Sequence, residues 1–134
     1  GSFLLWVGYR CYSAKGSLMN GYPSDESFTE ETIVDRNLLA RELLWASRKE
    51  ENTHISVNLE DEAARLLEIN INQDEDPQYA CDTLRILYSK RKDWHNAARV
   101  VDRAIETGSS QDYWNDEMQA GWEKKRERIR KQGF

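Results

Sequence analysis

Few side chains in this 134-residue chain have the type and spacing for covalent or metal chemistry: His54, His95, Cys11, Cys81 and the acidic runs at 60–62 and 74–76. Glu51 stands three residues before His54, but no second histidine follows at ligand spacing, so no zinc motif is built. Neither cysteine has a CxxC partner, which removes thioredoxin-type and structural-zinc chemistry. Glu60-Asp61-Glu62 and Asp74-Glu75-Asp76 lack the alternating oxygen ligands and the glycine of a calcium loop. There is no phosphate-cradling glycine loop, no nucleophile elbow and no dinucleotide fingerprint. The expectation is a protein that is not an enzyme and needs neither cofactor nor metal.

One further group could do chemistry of another kind. Lys124, Lys125, Arg126, Arg128, Arg130 and Lys131 follow Trp122, a combination that can pair phosphates with the cations and stack a base on the indole. The simpler reading is a solvated helix end, because Asp112, Asp116 and Glu117 precede these cations and each sign suits the dipole at its end. A formal net charge of −5 argues against a surface that is basic throughout.

The elements that would position such residues are helical. Pro77 after Asp76 starts a helix, with Asp76 as its cap, whose apolar stripe is Ala80, Cys81, Leu84, Leu87 and Tyr88. Asp93 caps a second helix with Ala97, Val101, Ala104 and Ile105 inward, and Gly108 is placed to end it. Upstream, Ser27 and Glu30 have capping-box spacing before a helix running to about Glu51. Its apolar set, from Ile33 to Ala46, is broad enough to touch neighbours on two sides, as a central core helix would. Asn58 can cap the next helix, with Leu59, Ala63, Leu66, Leu67 and Asn70 on one face and Glu60-Asp61-Glu62 complementing its dipole. The last helix spans 111–131, with Tyr113, Trp114, Met118, Trp122 and Ile129 at helical spacing.

The amino-terminal region differs in character. Gly1-Ser2 resembles a tag-cleavage scar, and residues 3–12 are the most apolar run, too short for a membrane span of about 20 residues. A buried helix is the preferred reading there, with a strand or the trimmed end of a membrane anchor as alternatives. Residues 13–27, rich in Gly, Ser, Asn and Pro, are expected to be a loop that Leu18, Met19 and Tyr22 could pin down. The chain as a whole is expected to be one all-α domain, with 28–72 as a first hairpin, 77–108 as a second and 111–131 as a terminal helix. Two unpaired cysteines in apolar patterns suit reduced thiols and an intracellular, cytoplasmic setting.

The 77–108 hairpin resembles a tetratricopeptide repeat. Leu84, Tyr88, Ala97 and Ala104 match that family's pattern, while Cys81, Arg85, Val101 and Ser109 depart from it, Arg85 most seriously because the family places a small residue there to seat the facing helix. Ala63 and Leu67 lie thirty-four residues before Ala97 and Val101, the family's period. The resemblance implies stacked antiparallel hairpins closed by a C-terminal capping helix, acting as an adaptor for a partner protein or peptide. It implies a ligand-facing side of Tyr79, Asp82, Ile86, Ser89 and Lys90, where Asp82 would disfavour an acidic peptide end. The alternatives are a nucleic-acid accessory domain using Trp122, Lys124, Lys125 and Arg128, or a subunit whose Trp6, Trp45, Trp114 and Trp122 are covered in an assembly.

Overall fold

The structure, a computed structural model, describes residues 29–133. Those residues form five α-helices and no strand: α1 (Ile33–Lys49), α2 (Thr53–Gln73), α3 (Gln78–Lys90), α4 (Trp94–Gly108) and α5 (Asp116–Arg130). Each helix packs on the one before it, most closely within the pairs α1–α2 and α3–α4. No helix among the described residues is long and apolar enough to cross a membrane. Residues 1–28, with the apolar run 3–12, the loop 13–27, Cys11 and the Ser27 cap, lie outside the described residues.

The core is a seam of leucines and small residues. Ala63, Leu66, Leu67, Cys81, Leu84, Ala97, Val100, Val101 and Ala104 have no exposed surface. Burying each leucine stabilises the fold by roughly 1.5–3 kcal/mol. The alanines matter for a different reason, since a side chain no larger than a methyl lets two helix backbones approach closely. Cys81 is free, and burial pushes its thiol up to about 12, which leaves it unreactive.

Polar groups bind the pairs to each other. Glu68 of α2 accepts from the Tyr88 hydroxyl of α3 and from Arg99 of α4 at 2.5 Å, so one carboxylate fastens three helices. Glu60, buried in α2, accepts from Lys90 and from Arg91 at 3.0 Å. Between α1 and α2, Arg36 is buried and donates to the Asn70 amide oxygen at 2.6 Å, to the Glu30 carbonyl and to Gln73. Asn70, itself fully buried, donates to the Ile33 carbonyl at 3.0 Å and to Asn37 at 2.7 Å. Every partner of this buried guanidinium among the described residues is an amide or carbonyl oxygen, and these hydrogen bonds tie the start of α1 to the end of α2.

Several boundaries differ from those expected. Thr32 caps α1, accepting from the Asp35 N–H at 3.0 Å, so the helix starts after Glu30 and the first pair begins later than residue 28. Asn52, not Asn58, caps α2, and Asn58 lies inside the helix. Its acidic trio therefore sits beyond the first turn and is used in ion pairs with Lys90, Arg91 and Arg65. Asp76 does not cap α3. Pro77 occupies that position without a side-chain cap, and the Asp76 carboxylate accepts from the Tyr113 hydroxyl instead. Tyr113 and Trp114 precede α5, which Asn115 caps through the Met118 N–H at 2.8 Å. Among the described residues α1 packs on α2 alone at close range, and Val34 and Trp45 are 65% and 53% exposed. Among the described residues the centre is shared by α2, α3 and α4, with α1 on one side.

Asp93 caps α4 as expected, and the turn before it is a Schellman motif. The Asp93 N–H reaches back to the Tyr88 carbonyl at 2.8 Å and the Lys92 N–H to that of Ser89 at 3.0 Å. Lys92 takes the left-handed conformation, φ 59°, that favours glycine. At the other end of α4, Gly108 is the last helical residue and needs no special backbone. A Cβ there would overlap the Trp114 ring, so its role is to give that indole a seat. Lys92→Gly is expected to stabilise the protein by about 0.5–1 kcal/mol, read as a higher urea midpoint at unchanged m-value. Gly108→Ala is expected to cost about 1–2 kcal/mol by displacing the ring, with altered tryptophan fluorescence; an unchanged midpoint would show that the indole is not seated there.

Candidate functional site

Helix α3 turns three faces to its surroundings, as a rotation of about 100° per residue requires. Ala80, Cys81, Leu84 and Leu87 enter the core. Asp82 and Ser89, with Gln78 and Arg85, face α5. Tyr79, Ile86 and Lys90 remain outside, with Tyr79 42% and Ile86 56% exposed. The ligand-facing side expected from the sequence is thus divided. Lys90 is engaged with Glu60 of α2, and Asp82 is engaged with Arg85 at 2.9 Å and with Lys125 of α5 at 3.1 Å.

Helix α5 is placed by Trp122 and Ile129, its two buried residues. Lys125 bonds to Asp82 on α3, and Arg126 to Asp102 on α4 at 3.1 Å, so α5 bridges both helices of the second pair. The Lys125 ammonium also lies 4.2 Å from the Trp122 ring centroid. That contact and 7% exposure take the indole out of reach of a stacking base. The two separately expected sites, the α3 face and the basic α5, therefore meet at Asp82 and Lys125.

Two hollows flank that contact. One, of about 400 Å³, is lined by Gln78, Tyr113, Trp114, Met118, Gly121, Trp122 and Lys125. Its walls are mainly apolar, and Tyr113 and Met118 stand 47% and 38% exposed at its rim. A Cβ at Gly121 would meet nothing within 4 Å, so this glycine leaves the cleft open. The Trp114 indole N–H donates to Gln119 at 2.8 Å, which holds its ring in the wall. The second hollow, of about 210 Å³, is lined by Arg85, Ser89, Trp94, Lys125, Arg128, Ile129 and Gln132. Arg128 makes no ion pair among the described residues, and Lys124 is likewise exposed.

Sequence reasoning passed over Tyr113, Met118 and Gly121 as parts of a site. The signal for Gly121 was present, since a glycine inside a helix costs about 1 kcal/mol against alanine and no backbone need explains it. Tyr113 was placed on a helix that begins three residues later. Among the described residues, no group of three or more His, Cys, Asp or Glu side chains could hold a metal ion.

Burial by itself would raise the Asp82 pKa, but the hydrogen bonds and charges of Lys125 and Arg85 outweigh it and hold the carboxyl below its usual range. The stability this contributes is present above the unfolded value of about 3.9 and is lost as pH falls through the lower folded value. Lys125→Met is expected to return the Asp82 carboxyl toward its ordinary pKa by NMR titration and to make acid destabilisation below about pH 4 shallower. Because both partners are partly exposed, its stability cost at neutral pH is expected to be only about 1 kcal/mol. Comparison of the chain with models of known protein families, with curated proteins and with solved structures found no match.

Proposed function

We propose that this chain is a protein-interaction module, a pair of stacked antiparallel hairpins of tetratricopeptide-repeat type with α5 as the capping helix, whose partner is a peptide segment or helix. It acts by binding, without a reaction of its own. The observation that carries the reading is the apolar cleft between the start of α3, the 111–115 segment and α5. Its rim exposes Tyr113 and Met118, and a partner seated in the cleft would cover the apolar surface of both. Tyr79 and Ile86 stand exposed on a separate, outer stripe of α3. Aromatic and methionine side chains at a concave site are the composition of binding hot spots.

The nucleic-acid reading is weaker. Trp122 is only 7% exposed with Lys125 against its ring, and Lys125 and Arg126 are already paired within the chain. The assembly reading draws on Trp45, which is exposed with Lys49 5.5 Å from its ring, while Trp114 and Trp122 are used inside the molecule.

Gly121→Leu tests the proposal. The new Cβ has open space around it, the rest of the side chain projects into the cleft, and helix propensity rises by about 1 kcal/mol, so folding should be kept. Affinity capture from native cell extract, read by mass spectrometry, is expected to show partners held by the unaltered chain and lost with this variant. Trp45→Ser on α1 should leave them bound. Partners indifferent to Gly121→Leu would place the docking surface elsewhere.

A further inference from the structure

We infer that the hollow formed by Arg85, Ser89, Lys125 and Arg128 is a phosphate site, and that the peptide bound in the adjoining cleft carries a phosphorylated serine or threonine beside its apolar anchor. This rests on the docking proposal above and adds the charge of the ligand. Lys125 lines both the cleft and the hollow, so one short segment can occupy the two together.

The charges select the ligand. Three cations border the hollow, and the one carboxylate bonded to them is Asp82, shared by Arg85 and Lys125 at 2.9 and 3.1 Å. Arg128 has no ion pair among the described residues. Two positive charges are therefore left over. A peptide carboxylate would answer one of them, whereas a phosphate monoester, with about −1.5 to −2 charge near neutral pH, answers both. The Arg85 and Lys125 side chains are only 17% and 28% exposed, so solvent and salt screen them less than they would a surface pair. The Arg128 guanidinium supplies a forked pair of donors, the arrangement that suits phosphate oxygens; Arg85 spends Nε and one terminal nitrogen on Asp82 and keeps its other N–H groups, and the Ser89 hydroxyl on the same wall can donate as well. The C-terminal turns of α3 and α5 bring partial negative charge nearby, offset in part by the start of α4 at Trp94, so the side chains must carry the attraction.

Arg85 is also the residue that breaks the repeat pattern. In the structure that arginine lines the hollow and contributes one of its three positive charges. The rival source of phosphate is a nucleic acid. It is disfavoured because carboxylates outnumber cations from Thr29 to Asp76, and because the apolar cleft next to the hollow suits a side chain better than a backbone of repeating charge.

The test uses the full chain with two immobilised degenerate peptide libraries, identical except that one fixed serine is phosphorylated, each with phenylalanine three residues before it, and with a mixed-sequence single-stranded RNA. Retention on the phosphoserine library at least about tenfold above its twin is expected. Arg128→Glu and the milder Arg128→Ala should abolish that preference with helical circular dichroism unchanged, and Gly121→Leu should weaken binding to the phosphorylated library. Equal retention of both libraries, still sensitive to Gly121→Leu, would overturn the phosphate site and leave the docking cleft standing. Retention of neither library would overturn both. RNA binding that falls steeply with salt and is lost in Arg128→Glu would overturn the peptide as the source of phosphate.

Discussion

Close approach of helix backbones is the constraint on which the molecule depends. Ala63, Ala97 and Ala104 have no accessible surface, and Leu66, Leu67, Leu84 and Val101 fill the space around them. Larger side chains at the alanine positions would separate α2, α3 and α4 and uncover the leucines. With the seam closed, Glu68 can fasten three helices at once and Glu60 can be buried against two cations, contacts that need the helices at these separations.

The position of α5 follows from the same seam. Once α3 and α4 are locked together, their far side presents Asp82 and Asp102, and α5 meets both through Lys125 and Arg126 while Trp122 and Ile129 are buried below. Trp114 is folded onto Gly108 and lines one hollow, Arg85 lines the other, and both hollows lie along the contact with α5. The candidate site is in this sense what is left between helices whose other contacts are satisfied.

Periodicity made much of this legible beforehand. The stripe Ala80, Cys81, Leu84 and Leu87, the face Ala63, Leu66, Leu67 and Asn70, and the Asp93 cap are found as read, with Tyr88 and Leu59 of the same two expected faces only partly buried, because each depends on residues within a few turns of one another. Caps that had competitors were misread. Asn52 and Thr32 lie a few residues from Asn58 and Ser27, and nothing local decides between two good caps at the head of one apolar pattern. The breadth of the α1 stripe suggested neighbours on two sides. Amphipathic width records what a helix can bury, not what comes to cover it, and Val34 and Trp45 stand exposed among the described residues.

The amino-acid sequence by itself determined the helical character of the described residues, the inner face of α2, α3 and α4, and the opposed charges along α5, since these arise from propensity, spacing and dipole acting over one or two turns. The tertiary structure alone decided that Asp82 and Lys125, forty-three residues apart, share one contact, that Trp122 is buried beneath that lysine, and that Tyr113, Met118 and Gly121 border an open cleft. Such pairings depend on the angle and depth at which α5 crosses α3 and α4. That geometry is set by the summed packing of many side chains, and no short stretch of sequence contains it.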